Sequence, residues 1–301
     1  MKSVYGPVRT KENGMRAVFL FCAVFSVLAL TAITVFLLAS GVPFIAKTGV
    51  GRFLLGTDWQ PLSDNPVYGI FPMIVTTLYV TALSVVTGLG TGLLTAVCLY
   101  RFCPKKLVLP IRQMINLLAG IPSVIFGLFG MTVIVPFIRD YLSPNGVGYG
   151  ILSSSIVLGI MVLPTIVSVS LDAMQAVPES YYEGALALGA TKEQATFRIM
   201  LPAAKSGILA GTVLAIGRAV GETMAVIMVI GGSPEMPKSL FQSVRTLTAN
   251  IAMGAMELSG DSLSALIATG VVLFVFTLVL NVSFAAMKRN KTEKVGKRGG
   301  K

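Results

Sequence analysis

Six long apolar runs decide what this chain can fold into. They lie at residues 17–41, 69–100, 113–138, 149–171, 203–232 and 262–287. A run of about 20 apolar residues is long enough to cross the hydrocarbon core of a bilayer as a helix. Charged residues make up only 12% of the 301 residues, well below the ~25% of a soluble domain. The sequence therefore predicts an all-α, polytopic membrane protein with six transmembrane helices.

The charges that flank these runs predict the orientation. Most of the 24 Lys and Arg residues lie in the two tails and in the second-to-third and fourth-to-fifth connections. Basic residues are enriched on the cytoplasmic side. We therefore expect a cytoplasmic tail at 1–16, a transmembrane domain at 17–287 with an inside loop at 172–202, and a basic cytoplasmic tail at 288–301. The net charge of +11 is then explained by anionic membrane lipid, without nucleic acid.

The first run also decides how the chain begins in the membrane. It follows Arg16 and is longer than the ~7–15 apolar residues of a signal peptide. We therefore expect an uncleaved membrane anchor.

Several chemistries are missing from the sequence. It has no His, and its three Cys residues, at 22, 98 and 103, are isolated from one another. A His base and a metal site are therefore not expected. No stretch completes the phosphate-binding motif G-x-x-x-x-G-K-[ST]. The sequence predicts no metal, no cofactor and no catalytic set, and so not an enzyme.

The fifth run contains two charges at membrane depth. Arg218 and Glu222 lie in GRAVGETMAVIMVIGG, residues 217–232, where one charge costs ~2.5–3.5 kcal/mol on translocon scales. On a continuous helix, side chains four residues apart are neighbours. Two interpretations follow. The pair is either a structural ion pair, or an anion relay in which Arg218 offers a forked donor to an oxyanion and Glu222 holds the Arg between passages.

Pro122 interrupts the third run. A Pro inside a helix leaves the carbonyl four residues back, that of Leu118, without its amide partner. Pro122 is either a packed kink or a break that lines a path, with Ser123 as a polar contact. Pro164 in the fourth run poses the same choice.

The inside loop carries helix signals. It reads VPESYYEGALALGATKEQATFRIMLPAA from 177 to 204. Ser180-x-x-Glu183 and Thr191-x-x-Gln194 are candidate capping boxes, and Gly189 suits a helix end. We predict two short helices with a turn at Gly189. Glu183 then serves either as a local cap or as a contact for another protein.

The same loop resembles the EAA loop of ABC importer permeases. The resemblance rests on the residues Glu183, Gly184, Ala185, Gly189, Ile199, Leu201 and Pro202. Gly184 stands where the motif has its first Ala. The resemblance implies the type I ABC importer permease (MetI-like) fold. It also implies that the loop forms coupling helices that dock on two copies of a separate ATP-binding subunit.

A narrower resemblance concerns the substrate. GRAVGETMAVIMVIGG and LAGIPSVIFGLFG, residues 118–130, are similar to stretches of phosphate importer permeases, and Met224-Ala225 favours the PstC type. This resemblance implies a phosphate permease subunit of a bacterial inner membrane. It implies a PstA-type second permease, a phosphate-binding protein outside and inorganic phosphate as substrate. The candidate path residues are Arg218, Glu222, Thr223 and Ser123.

Two alternatives remain open at this point. One is a permease of the same architecture for another oxyanion, such as sulfate or molybdate. The other is an ion-coupled secondary transporter that works without ATP, although the EAA loop is hard to explain there.

Overall fold

The structure of the protein, a computed structural model, describes residues 6–296, with side chains over residues 14–283. The first five residues and the last five, and all side chains of the predicted basic tail at 288–301, lie outside the described part. The helices are α1 (Gly6–Thr48), α2 (Val50–Leu55), α3 (Phe71–Val97), α4 (Lys105–Gly120), α5 (Ser123–Phe129), α6 (Val135–Tyr141), α7 (Ile151–Gln175), α8 (Glu179–Ala187), α9 (Lys192–Gln194), α10 (Leu201–Gly221), α11 (Met224–Ile230), α12 (Leu247–Gly254) and α13 (Gly260–Gly296).

Shorter elements join several of these helices. Three π-helical segments are named π1 (Cys98–Phe102), π2 (Gly130–Ile134) and π3 (Ala195–Met200). Two short strands, β1 (Trp59–Gln60) and β2 (Val67–Tyr68), pair antiparallel in a hairpin. Because each π segment continues a neighbouring helix, the segments lengthen the second, third and fifth spans.

Six helical stretches are long and apolar enough to cross a membrane. They are Gly14–Thr48, Phe71–Phe102, Ser123–Tyr141, Ile151–Gln175, Lys192–Gly221 and Gly260–Ser283. The predicted all-α fold with six transmembrane helices is confirmed.

The fourth span, α7, forms the centre of the bundle. In its most apolar window 67% of the residues are buried, more than in any other candidate span over residues 14–283. It packs closely on α3, where a Cβ added at Gly88 would lie 2.7 Å from Cγ2 of Val162. In a membrane the hydrophobic effect does not drive helices together, and small residues allow the close packing that does.

The bundle has two distinct ends. We call one the hairpin end: Trp59 of the hairpin packs there with Phe53 and Leu258 in a buried cluster. The other, the basic end, carries loop 176–200, and Arg112 of α4 pairs there with Asp172 of α7 at 2.9 Å.

The first span contacts the rest of the bundle mainly through α13. Its Gly41 lies against Val271 and Ala268 of α13, and Lys47 pairs with Asp261 at 2.8 Å. None of its most apolar window is buried inside this chain. Its apolar surface is therefore left for lipid or for a partner chain.

The third and fifth spans are both broken. A span was expected at 113–138 with Pro122 as either a kink or a break, and the structure has a break there: α4 ends at Gly120 and a new helix begins at Ser123. A continuous span was expected at 203–232, but α10 ends at Gly221 and α11 begins at Met224. The prediction of an unbroken helix was wrong for the fifth span, because the Glu222 side chain accepts from the amide of Ala225 and Thr248 donates to the Glu222 carbonyl at the break.

Candidate functional site

The fifth span breaks at Glu222. Glu222 has an extended backbone, with φ −71° and ψ 128°, directly after Gly221, a residue that weakens helices. Its side-chain Oε1 accepts a hydrogen bond from the amide of Ala225 at 3.2 Å. A carboxylate near a helix N-terminus is favoured by the exposed amides and the helix dipole. Glu222 therefore ends one helix and caps the next.

The first turn of α12 and its cap, Thr246, stabilise the break. The hydroxyl of Thr248 donates to the backbone carbonyl of Glu222 at 3.0 Å. Thr248 is itself within 3.1 Å of the Thr246 hydroxyl, and the amide of Leu247 donates to Oγ1 of Thr77 on α3 at 3.1 Å. Because these three threonines are buried, the carbonyl freed by the break has a fixed partner.

Arg218 lies in the last turn of α10, where a cation is favoured by the helix dipole. Its side chain is exposed, and no ion pair or hydrogen bond to it occurs among residues 14–283. The expected ion pair with Glu222 is not formed, since the helix ends between the two residues and Glu222 caps α11 instead. An added Cβ at Gly217 or Gly221 would meet nothing within 4 Å. Arg218 therefore lies beside a helix face that this chain leaves uncovered.

A second break lies close to the first. Ile121 and Pro122 are extended, and the amide of Ile121 donates to the carbonyl of Leu118 at 3.3 Å. Of the two interpretations of Pro122, the structure has the break and not a kink within a helix. Ile121 packs against the core cluster that includes Ala219 and Ala225, so both breaks adjoin the same layer of the core.

The helix that starts at Ser123 lies directly on α11. A Cβ added at Gly127 would be 2.7 Å from Sδ of Met228 and 3.0 Å from Cα of Ala225. Ser123 is partly exposed and shares no hydrogen bond with Arg218 in the described chain. Pro164, in contrast, is buried inside an unbroken α7.

The depth of the breaks follows from the core cluster around them. That cluster contains Leu158, Met161 and Val162 from the middle of α7. A separate cluster with Leu171 and Met174 fills the basic end. Both breaks therefore lie between the two ends of the bundle, near mid-depth.

The loop at the basic end has the predicted turn. Gly189, with φ +86°, separates α8 from the short helix α9. The amide of Ala190 donates to Ala185 at 3.1 Å and that of Gly189 to Leu186 at 2.9 Å, which is a Schellman end. The first short helix, α8, and the turn at Gly189 are confirmed. The second short helix is not separate, because α9 continues through π3 into α10 as one helical stretch, Lys192–Gly221.

Only one of the two predicted capping boxes is present. Thr191 and Gln194 cap each other reciprocally at the start of α9. Ser180 does not cap α8, because the helix already begins at Glu179. The local-cap interpretation of Glu183 was therefore wrong, and its exposed side chain has no hydrogen bond within the described residues.

The loop presents an apolar surface to its surroundings. Leu188 is 91% exposed and Tyr181 is 54% exposed, and Gly184 has open space where a side chain would point. The other motif residues differ in exposure. Gly189, Ile199 and Pro202 are exposed, whereas Ala185 and Leu201 are partly buried. Exposed apolar side chains around small residues are typical of a docking surface.

Arg245, at the hairpin end, was not predicted from the sequence as a functional residue. Its Nε donates to the carbonyl of Gly232 at 2.7 Å and its Nη1 to Oδ1 of Asn250 at 3.1 Å. It borders a cavity of about 520 Å³ that Trp59 and Glu257 also line. Burial lowers the pKa of Arg245, and the charge of Glu257 partly offsets this. The available signal was that Arg245 is the only charge in residues 239–256.

Comparison with known families identifies this arrangement. Residues 88–292 match the model of the family described as binding-protein-dependent transport system inner membrane component. The chain belongs to this family. It is therefore a multi-pass inner-membrane protein, and the matched region contains both helix breaks and the whole loop at the basic end.

Individual relatives of this permease are similar over most of its length. It is 38% identical over 283 residues to the probable ABC transporter permease protein YqgH of Bacillus subtilis, covering 91% of this chain and 90% of that protein. It is 36% identical over 247 residues to the phosphate transport system permease protein PstC of Mesorhizobium japonicum, covering 76% and 75%.

The fold is shared with solved transporters. A chain of the bacterial alginate ABC transporter, crystallised with an alginate-bound periplasmic protein, superposes with a TM-score of 0.67. The match covers 96% of this chain and 98% of that chain at 18% identity. The predicted type I ABC importer permease fold is confirmed, and at this identity the likeness concerns the fold alone.

Proposed function

We propose that this chain is the PstC-type permease subunit of an ATP-driven phosphate importer and forms half of its translocation path. The observation that carries the proposal is Arg218, which has no ion-pair partner among residues 14–283 and lies beside a helix break at mid-depth. The relative named phosphate transport system permease PstC supports phosphate as the anion.

The site has the chemistry that an oxyanion needs. Phosphate is charged at neutral pH, and a charge at membrane depth is costly without a partner. A guanidinium offers a planar fork of donors and is weakly hydrated, which suits transient contact with an oxyanion. Because Glu222 caps α11, Arg218 can receive the anion without first breaking an ion pair. The nearby Glu222 carboxylate then disfavours prolonged binding, and the hydroxyls of Thr223 and Ser123 border the path.

Other surfaces of the chain bind the partner proteins in this proposal. The basic end is cytoplasmic in this proposal, with both termini on that side and the flanking Lys and Arg residues facing anionic lipid. The exposed turn at Leu188 and Gly189 docks on one of two ATP-binding subunits. A homologous PstA-type permease completes the path, and a phosphate-binding protein docks at the hairpin end. The chain uses no cofactor, binds no nucleic acid and catalyses no covalent reaction itself.

Transport then follows from movement at the basic end. ATP binding closes the two ATPase subunits and moves the loop that carries α8 and α9. The spans open outward to receive the anion, and hydrolysis resets them. The proposal includes the division of the chain into a cytoplasmic tail at 1–16, a transmembrane domain at 17–287 with the coupling loop at 172–202, and a basic cytoplasmic tail at 288–301.

A second candidate function is import of another oxyanion. The guanidinium of Arg218 can bind sulfate or molybdate with the same donors, so the site favours an oxyanion as a class. An ion-coupled secondary transporter is less well supported, because the exposed loop surface around Leu188 has no role in it.

The experiment that tests the proposal is reconstitution of the complete complex in proteoliposomes with a phosphate-loaded binding protein. We expect uptake of labelled phosphate that requires ATP, stops with a non-hydrolysable analogue and is not reduced by excess sulfate or molybdate. The chain reconstituted alone serves as the control and should give no uptake. Uptake that continues when ATP is replaced by the non-hydrolysable analogue contradicts the ABC mechanism. Loss of phosphate uptake in excess sulfate contradicts phosphate specificity.

A further inference from the structure

Arg101 lies between the second span and the loop at the basic end. It belongs to π1, and its Nη2 lies 2.5 Å from both carboxylate oxygens of Glu179, the first residue of α8. The side chain of Arg101 is only 23% exposed, against 53% for Glu179. A charge-assisted pair of this kind holds two elements together more strongly than a neutral hydrogen bond.

Two tyrosine rings enclose the same guanidinium. The Cζ atom of Arg101 lies 4.0 Å from the ring centre of Tyr182 and 4.6 Å from that of Tyr100. Both distances are within the range of cation–π attraction, which is stronger when the cation is desolvated. Tyr182 is on α8 and 8% exposed. Arg101 therefore fixes the first turn of α8 to the end of the second span.

The contact between Arg101 and α8 lies next to two π-helical segments. Arg101 is in π1, and Tyr182 packs in a cluster with Ala195 and Met200 of π3. The rings of Phe102 in π1 and Phe197 in π3 stack with their centres 6.4 Å apart. π-helical turns have a different hydrogen-bond register from the helices they interrupt and often occur at functional sites. The contact between Arg101 and α8 therefore lies next to π1 and π3, where the second and fifth spans depart from regular α-helix.

We propose that Arg101 is the positioning residue that transmits movement of α8 to the second span. This inference rests on the proposed function, in which an ATPase moves α8. Separating α8 from π1 would strand a desolvated guanidinium, and breaking such a pair is costly. α8 and the end of the second span therefore move together as one body. The π-helical register of π1 accommodates the movement of this end relative to α3.

The test uses the reconstituted complex and measures phosphate imported per ATP hydrolysed. Arg101→Gln and Glu179→Gln are compared with Arg112→Gln, which breaks a pair at the same end that joins α4 to Asp172 of α7 instead of π1 to α8. We expect either variant of the Arg101–Glu179 pair to assemble and hydrolyse ATP, while the ratio falls by about 5-fold or more, the lower range of coupling between two sites. Arg112→Gln should keep the wild-type ratio.

Two further variants keep the test decisive. Arg101→Lys retains the charge but not the planar fork, so it should recover only part of the ratio. The double variant Arg101→Gln/Glu179→Gln should be no worse than Arg101→Gln, because the two residues act through one contact. An unchanged ratio in Arg101→Gln, or equal losses of ATPase activity and uptake with reduced assembly, overturns the inference. Absence of ATP-driven phosphate uptake in the wild-type complex overturns the proposed function and this inference with it.

Discussion

The hydroxyl of Thr248 donates a hydrogen bond to the backbone carbonyl of Glu222, which lies 26 residues earlier in the chain. The contact joins α12 to the point where the fifth span breaks. A backbone carbonyl freed at membrane depth needs a hydrogen-bond donor, since each unsatisfied group in lipid costs several kcal/mol. The break is therefore part of the folded structure, and Thr248 is one of the residues that stabilise it.

Replacing Thr248 with Val should destabilise the break. Val has nearly the same shape but leaves the Glu222 carbonyl without its donor, at a cost of about 1–3 kcal/mol. We expect a lower melting temperature of the purified complex together with slower phosphate uptake. Thr248→Ser keeps the hydroxyl and is the matched control. If the Val and Ser variants melt and transport alike, the hydrogen bond does not stabilise the site.

Contact between the two broken spans is open to a steric test. Gly127→Ala places a Cβ 2.7 Å from Sδ of Met228 and 3.0 Å from the backbone of Ala225. Overpacking of this kind costs about 1–3 kcal/mol, so uptake should fall and melting should occur at a lower temperature. Gly90→Ala on α3 is the control, since its added Cβ meets nothing within 4 Å. Equal behaviour of the two variants would show that α5 and α11 do not pack as described.

The turn at Gly189 should matter for ATPase binding. A side chain at its φ of +86° costs about 1–2 kcal/mol, although the added atom meets nothing within 4 Å. We expect Gly189→Ala to insert in the membrane but to recover less ATP-binding subunit on co-purification. Gly260→Ala, also at positive φ and without a neighbour, introduces similar strain away from the loop. The account is contradicted if the Gly189 variant retains the subunit as fully as the Gly260 variant.

Orientation can be checked with single cysteines in a variant that lacks Cys22, Cys98 and Cys103. Leu188, 91% exposed at the basic end, and Met256, 95% exposed near the hairpin end, are suitable positions. With the chain expressed without its ATPase, an impermeant thiol reagent should label Met256→Cys in intact cells and Leu188→Cys only in inside-out vesicles. The opposite pattern would place the basic end outside and reject the proposed topology.

Local sequence predicts some of these features and not others. The six spans follow from runs of apolar residues, and the turn at Gly189 follows from a residue that tolerates positive φ. Pro122 indicated a break because it removes an amide donor. The break at Glu222 could not be predicted in this way, because no Pro marks it and its stabilising partner is Thr248, far along the chain. The expected pairing of Arg218 with Glu222 failed for the same reason, since it assumed an unbroken helix.

The central claim is that Arg218 binds the anion as it crosses the membrane. The variant Arg218→Gln/Glu222→Gln removes both charges. The amide oxygen of its new side chain at position 222 still offers an acceptor to the backbone amide of Ala225, so the break is retained. Lys205→Gln removes an exposed cation from the same helix, away from the break, and is the matched control.

The decisive measurement is uptake of labelled phosphate by the double variant in the complete reconstituted complex. The account predicts that this complex assembles, hydrolyses ATP and imports no phosphate, while Lys205→Gln imports normally. Phosphate uptake by the double variant at the wild-type rate and expression level would contradict the account and leave Arg218 and Glu222 with a structural role only.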